Sequence, residues 1–312
     1  MPPIVDFAQS AQPFAGFATR MSFTKGFEKI VRSGELLAPH TWFGLGGPAE
    51  YFAEPNTLEE LAALVRRSRE ENLPVRLLGG GSNLLVRDEG VRGVVVRLSG
   101  TAFTEIIVTK QGIAGGGGAR LGHAISVAVR EGYAGLETLV GIPGTIGGAV
   151  HINAGGQTGD IGQWIHRATI LTHAGELQTR EKSDLVFAYR QSSLDDVIVL
   201  NAEFKLDRED PLELTKRMQK EWIMKKATQP MGHQSTGCIF KNPRGVNAGM
   251  LIEQAGLKGA RVGGAEVNDR HANFIVAEPS ATSNDVLQLI EHVREKVLER
   301  LGVELDLEIN VW

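Results

Sequence analysis

Apolar positions fall at helical spacing in two well-marked stretches. Leu58, Leu61, Leu64 and Val65 share one face, and Thr57 with Glu60 three residues on forms a capping box, so a helix begins at Thr57. Val286, Leu289, Ile290, Val293, Val297 and Leu298 form the inner face of a longer helix over Ser283 to Leu301, which Gly302 stops. LGHAISVAVREG and NAGMLIEQAG predict two shorter helices, the charged run Pro211 to Lys226 a third, and KGFEKIVRSG (Lys25 to Gly34) a brief amphipathic one. Between them lie strands. YFAEP is one, VRLLGGGSNLLV reads as strand, turn, strand, and GVVVRL (Gly93 to Leu98) is apolar on both faces and therefore a buried strand. TEIIVTK, ATILTH, GELQTR and DVIVLNAEFKL are short β runs bounded by turn residues, FIVAEP is another, and VELDLEINVW is a closing strand. No period of 20 to 50 residues recurs.

The pattern is α+β. It divides into an N-terminal extension over 1–36, a β-α-β opening over 37–100, a β-rich stretch over 101–210, a small mixed unit over 211–300 and the closing strand over 301–312. A chain of 312 residues is long enough for about two domains with a sizeable core. The formal net charge of −4 argues against a nucleic-acid partner, and no apolar run is long enough for a membrane span. Cys238, the only cysteine, excludes internal disulfides and cysteine-rich metal knuckles and fits a reducing compartment. The first twenty residues read as a loose tail without the basic-then-apolar order of a secretory signal, and Met21 is a second candidate for the natural start.

Glycine changes the picture. The 38 glycines are about 12% of the chain against a usual 7% or so, and they cluster between apolar segments. Gly44 to Ala49 fits a dinucleotide-binding GxGxxA only loosely, with Pro48 where a phosphate-binding helix would start. Gly79-Gly80-Gly81-Ser82-Asn83 follows a buried strand, so its backbone N–H groups can form an anion-binding nest; the alternative is a plain hairpin turn. The stretch from Gly135 to Gly156 is apolar, glycine-dense and almost uncharged, which suits a buried loop against a flat ligand or a tightly packed crossover. Arg190, Cys238 and Glu308 carry chemistry of their own, although each type has an ordinary fate as surface arginine, small core residue or solvated strand carboxylate.

Nine blocks in order now matter together: HTWFGLGGPAEYF, LGGGSNLLV, GLETLVGIPGTIGGAVHINAG, FAYRQSS, TQPMG, GCIFKNP, AGMLIEQAGLKG, GGAEVNDRHANFIV and LDLEINV. With them the chain, over about residues 37 to 310, closely resembles the UDP-N-acetylenolpyruvoylglucosamine reductase family, flavoenzymes of bacterial peptidoglycan synthesis. The resemblance implies a vanillyl-alcohol-oxidase-type two-part FAD-binding fold plus a small α+β substrate-binding domain. It further implies noncovalent FAD reduced by NADPH, and hydride passed to an enolpyruvyl ether on a UDP sugar. A general acid then protonates the neighbouring carbon.

By resemblance the catalytic residues are Arg190, Cys238 and Glu308: Arg190 and Glu308 flank the substrate carboxylate and Cys238 gives the proton. Gly79, Gly80, Gly81, Ser82, Asn83 and Leu84 hold the FAD diphosphate. Gly141, Ile142, Pro143, Gly144, Gly147, Gly148, Ala149 and Asn153 lie along the rest of the cofactor. Tyr189, Lys241, Asn242 and His271 meet the nucleotide sugar. No metal, membrane or nucleic acid is implied, and the protein is expected to be a cytoplasmic monomer.

Two departures qualify this. Many relatives carry serine at the position of Cys238. The long tyrosine-bearing insertion after the YRxS block is absent, as in a shorter second subclass. A thiol near its unperturbed pKa of about 8.5 would be mostly protonated at neutral pH, and a nearby Lys241 would lower that value. The rival readings are a flavin oxidase of the same fold with tethered cofactor, and a nucleotide-binding module without activity.

Overall fold

The computed structural model describes residues 21–156, 158–232, 234–243 and 245–312. The tail expected over the first twenty residues lies outside them. After a single turn, α1 (Met21–Thr24), the first sheet has the order β1 (Val31–Ser33), β2 (Ala49–Ala53), β5 (Val91–Val96), β3 (Val75–Leu77). β1 runs antiparallel to β2, while β5 is parallel to both β2 and β3. The stretch from Lys25 to Gly34, expected as a helix, instead makes turns and then β1, because pairing with β2 buries Val31 where a lone short helix would bury little. Helix α2 (Leu58–Glu70) starts as its sequence predicts: Thr57 Oγ1 accepts from Glu60 N at 3.2 Å. The box is offset by one residue, since the Glu60 carboxylate accepts from Asn56 N at 2.7 Å.

The second unit is a five-stranded antiparallel sheet. Its order is β12 (Leu177–Glu181), β11 (Ile165–Leu171), β15 (Ile198–Lys205), β7 (Gly112–Gly116), β6 (Ile106–Thr109). Two-residue pairs lie at its margins: β8 (Tyr133–Ala134) with β16 (Asp207–Arg208), β9 (Gly155–Gly156) with β10 (Gly159–Asp160), and β13 (Phe187–Ala188) with β14 (Gln191–Ser192). Helix α3 (Leu121–Arg130) and the short α4 (Ile146–His151) pack into the same core. α4 lies inside the glycine-dense stretch expected to be loop or crossover. Thr145 caps it by accepting from Gly148 N at 3.3 Å.

The expected boundary at residue 211 falls at the start of a helix that packs backward along the chain. Helix α5 (Pro211–Thr228) buries Leu214 and leans Met218 on the core of the second unit. Arg217 also pairs with Glu137 of that unit at 2.7 Å. The third unit follows it: α6 (Ala248–Gln254), a three-stranded sheet of β17 (Arg261–Val262), β18 (Ala265–Val267) and β19 (Ile275–Ala277), and α7 (Ser283–Leu301) with Gly302 in the left-handed region at its end. The predicted closing strand is shorter than its alternation suggests. Only β20 (Asn310–Val311) is regular strand, and it pairs in parallel with β4 (Leu84–Leu85); Leu307 makes a single bridge to Phe240. The third core also takes in Phe43, Leu45 and Leu85, which fastens it to the first unit.

Candidate active site

The glycine-rich segment after β3 is not a hairpin. β3 pairs with β5 and β4 pairs with β20, so Gly79 to Asn83 cross from one sheet to another. Two features mark this crossing. First, none of its five consecutive backbone N–H groups has an acceptor among the described residues, which leaves a concave row of donors for an anion. Second, it has no room for side chains. A Cβ on Gly80 would sit 2.7 Å from Gly144 Cα, and one on Gly81, whose φ is +64°, would sit 2.0 Å from His40 O. The crossing and the Gly141–Thr145 loop therefore meet backbone to backbone. Together they form a narrow uncharged cradle with free donors at one end, and these residues fit an extended cofactor with a diphosphate and a flat ring.

Lys225 on α5 secures the second wall of this cradle. Its ammonium donates to Val140 O at 2.6 Å, and burial pulls its pKa below the ordinary lysine value. Ala149 is buried in α4, and Gly147 would place a Cβ 2.8 Å from Gly117 O, so both shape the wall from behind. Asn153, expected on the cofactor, is buried with its side chain engaged elsewhere. It accepts from Gly162 N at 3.0 Å and donates to Ala188 O at 2.9 Å, which ties the β13–β14 hairpin to the loop after α4.

That hairpin presents Tyr189 and Arg190 at its tip. Arg190 has φ +56°, a left-handed conformation that costs a non-glycine residue about 1 kcal/mol or more. Its Nε donates to Glu308 Oε1 at 2.6 Å, with the two side chains 19% and 13% exposed. Its guanidinium lies over the Tyr189 ring, 5.1 Å from the centroid, and its two terminal nitrogens have no acceptor among the described residues. Burial raises the Glu308 pKa, an effect that the Arg190 charge and hydrogen bond, and then Lys241, oppose.

Cys238 arrives from the third unit, one residue before the Ile239 carbonyl that accepts from Glu308 N at 2.8 Å. Its thiol is pushed up to about 12, chiefly by burial and next by the Glu308 charge, with Arg190 and an Asn273 hydrogen bond acting the other way. The expected lowering by Lys241 is thus corrected: that ammonium acts on Glu308, while desolvation decides the thiol.

A cleft of about 300 Å³ opens beside Arg190, lined by that residue with Asn153, Gly155, Gly156, Asp160, Tyr189, Asn242 and Asn247; Cys238 and Glu308 are not part of its lining. Asn242 N donates to the Tyr189 hydroxyl at 3.1 Å, which joins the third unit to the hairpin tip across the cleft. His271 does not line the cleft. Burial lowers its pKa and keeps it neutral, and Nδ1 accepts from Asn273 N at 3.3 Å. Asp160 and Asn247 carry no motif signal. Asn273 lies in the block GGAEVNDRHANFIV, and its isolation within the apolar run ANFIV marks it further, because a buried amide must find partners.

Comparison with known proteins decides the family. A family model described as the UDP-N-acetylenolpyruvoylglucosamine reductase C-terminal domain matches residues 229–312, and an FAD binding domain matches residues 49–180. The UDP-N-acetylenolpyruvoylglucosamine reductase 2 of Symbiobacterium thermophilum is 43% identical over 284 residues, covering 90% of this chain and 92% of that protein. The chain belongs to the UDP-N-acetylenolpyruvoylglucosamine reductase family. A reductase of that name from Exiguobacterium sibiricum is 42% identical over 91% of this chain and 93% of its own length. The crystal structure of the Thermus caldophilus reductase superposes with a TM-score of 0.79 at 39% identity, covering 90% of this chain and 99% of that one. The reductase C-terminal match begins at 229, one residue after α5 ends, in line with the packing of that helix on the second unit.

Proposed function

We propose that the chain reduces the enolpyruvyl ether of a UDP-N-acetylglucosamine enolpyruvate to the lactyl ether of UDP-N-acetylmuramate, with NADPH as reductant, in peptidoglycan precursor synthesis. The observation that carries this reading is the convergence of the Arg190–Glu308 pair and a protonated Cys238 beside a cradle of free backbone donors. Bound FAD supplies the hydride. The N–H groups of Gly79 to Asn83 hold its diphosphate, and the loop from Val140 to Ala149 bounds its ring on one side.

Arg190 presents its terminal nitrogens to the substrate carboxylate as negative charge builds there. Glu308, through its short contact with Nε, fixes the plane of that guanidinium, and proton donation falls to Cys238. At Cys238 the S–H bond breaks as a C–H bond forms at the carbon beside the reduced one. The electron pair stays on sulfur next to Arg190, and solvent returns the proton. Tyr189 and Asn242 form the rim that meets the nucleotide sugar, with Lys241 adding positive charge near the diphosphate. Chemistry on NADPH and a UDP sugar places the protein in the cytoplasm. One chain carries every residue named, so a monomer suffices; no helix of the described residues is long and apolar enough to cross a membrane.

The test is anaerobic. NADPH added to the purified yellow protein should bleach it, and the enolpyruvyl sugar nucleotide should then restore the colour with one product formed per flavin. Bleaching with no substrate-dependent return of colour would overturn the reading.

A further inference from the structure

Asn273 is 1% exposed, and its side chain and carbonyl are turned toward the segment that follows Cys238. Its Oδ1 accepts from Phe240 N at 2.9 Å, its Nδ2 donates to Phe240 O at 2.8 Å, and its own carbonyl accepts from Ile239 N at 2.8 Å. The neighbouring Phe274 bridges Cys238 itself. These contacts settle which end of the amide is oxygen, because a backbone N–H must meet Oδ1 and a backbone carbonyl must meet Nδ2. Asn273 thus holds both polar groups of the Phe240 backbone and the N–H of Ile239, the two residues that follow Cys238.

We propose that Asn273 is a positioning residue for the protonation step: it clamps Ile239 and Phe240 through three hydrogen bonds and so fixes Cys238 next to Glu308, whose N donates to Ile239 O at 2.8 Å. Without the clamp the segment can shift and carry the thiol off its line to the substrate carbon. This rests on the reading of Cys238 as proton donor.

The two claims separate in a double-mutant cycle on the holoenzyme, followed by anaerobic stopped flow. Asn273→Ala should slow the substrate-driven return of flavin colour by roughly 10- to 100-fold, the range expected from a small misplacement of a reacting group, and should leave reduction by NADPH within about twofold. In a Cys238→Ala background the same substitution should change that rate by less than about twofold, since no thiol remains to be aimed. Asn273→Asp keeps the volume and the acceptor for Phe240 N while removing the hydrogen donated to Phe240 O. It should reproduce the defect if the alanine variant fails to fold. Additive losses in the two backgrounds, or equal loss in both half-reactions, would make Asn273 structural and overturn the proposal. A slow Cys238→Ala enzyme beside an unimpaired Asn273→Ala enzyme would overturn it alone; a Cys238→Ala enzyme at full rate would sink the donor reading and this proposal with it.

Discussion

At the tip of the β13–β14 hairpin the chain accepts a left-handed arginine where glycine or asparagine would be the easier residue, and it does so to hold Nε 2.6 Å from Glu308. Stored strain of this kind is kept only where the surroundings fix it. Here Asn153 fixes the strand before the tip and Tyr189 reaches Asn242 across the cleft. Arg190→Lys should therefore keep flavin reduction by NADPH and slow transfer to the enolpyruvyl group by about 2 kcal/mol or more, the loss seen when comparable donors to a developing anion are removed. Equal losses in rapid-mixing traces of both half-reactions would show that the residue only holds the hairpin.

The thiol gives a pH test with a definite sign. Held at about 12, Cys238 keeps its proton far above the ordinary thiol range, so its ionisation should place no alkaline limb on the second half-reaction below about pH 10. A limb near the ordinary value would contradict the buried site. The same shift bears on stability: the folded chain holds this proton more tightly than the unfolded one. Its contribution is therefore full below the unfolded thiol pKa and is lost as pH rises from there toward 12. Cys238→Ala should bind FAD normally yet form product about 10²-fold more slowly, measured as single-turnover re-oxidation. Arg190, Cys238 and Glu308, proposed as the reacting residues, each stand in a sequence block that singles them out; their electrostatics have no such signal. Lys241 is a close neighbour in sequence, yet burial, which only the packed third unit creates, decides the thiol.

Among the elements, the glycine crossing was half legible. Three glycines after a strand allow either a hairpin or a nest, and the choice depends on which strands pair: β4 takes β20, more than 220 residues away in sequence by the spacing of Leu84 and Asn310. Gly80→Val would drive a side chain into Gly144 and part the two loops. The variant should purify folded but colourless, by far-UV dichroism and flavin absorbance, and a yellow variant with unchanged FAD affinity would remove this crossing from the site. Helix α5 was legible as a helix but its packing partner was not, because its surface is charged on most sides and the contact of Arg217 with the buried Glu137 joins residues 80 apart in sequence. Glu137 also accepts from Gly135 N, so Arg217→Ala leaves a carboxylate at 1% exposure with one partner fewer. The loss should be about 1–3 kcal/mol in denaturant titration, with weaker FAD binding as the Val140 loop loosens.

On the scale of the whole molecule, the last residues tie the glycine crossing, the proposed cofactor cradle, to the proposed reacting groups. β20 lies beside β4, the strand that ends the glycine crossing, through Asn310 N to Asn83 O at 3.0 Å and Trp312 N to Leu85 O at 2.9 Å. Two residues before β20, the Glu308 carbonyl accepts from Asn83 Nδ2 at 3.1 Å. Asn83 thus grips the terminal segment at two points while its own N–H belongs to the row of free donors. The position of Glu308, and through it the plane of Arg190, is set from the cofactor side and not by the third unit alone. Deleting Asn310 to Trp312 should release both ends of this link. The expected result is FAD affinity lowered at least about tenfold by fluorescence titration, the effect of roughly two lost hydrogen bonds at about 1 kcal/mol each. A slower second half-reaction should accompany it even at saturating FAD, because Glu308 would no longer be held against Arg190. The third unit keeps its own core of α6, α7 and the β17–β19 sheet, so it should remain folded after the deletion. A truncated protein that binds FAD as tightly as the full chain, and returns its colour as fast on substrate, would show that Glu308 takes its place from Phe240 and Ile239 without help from the glycine crossing.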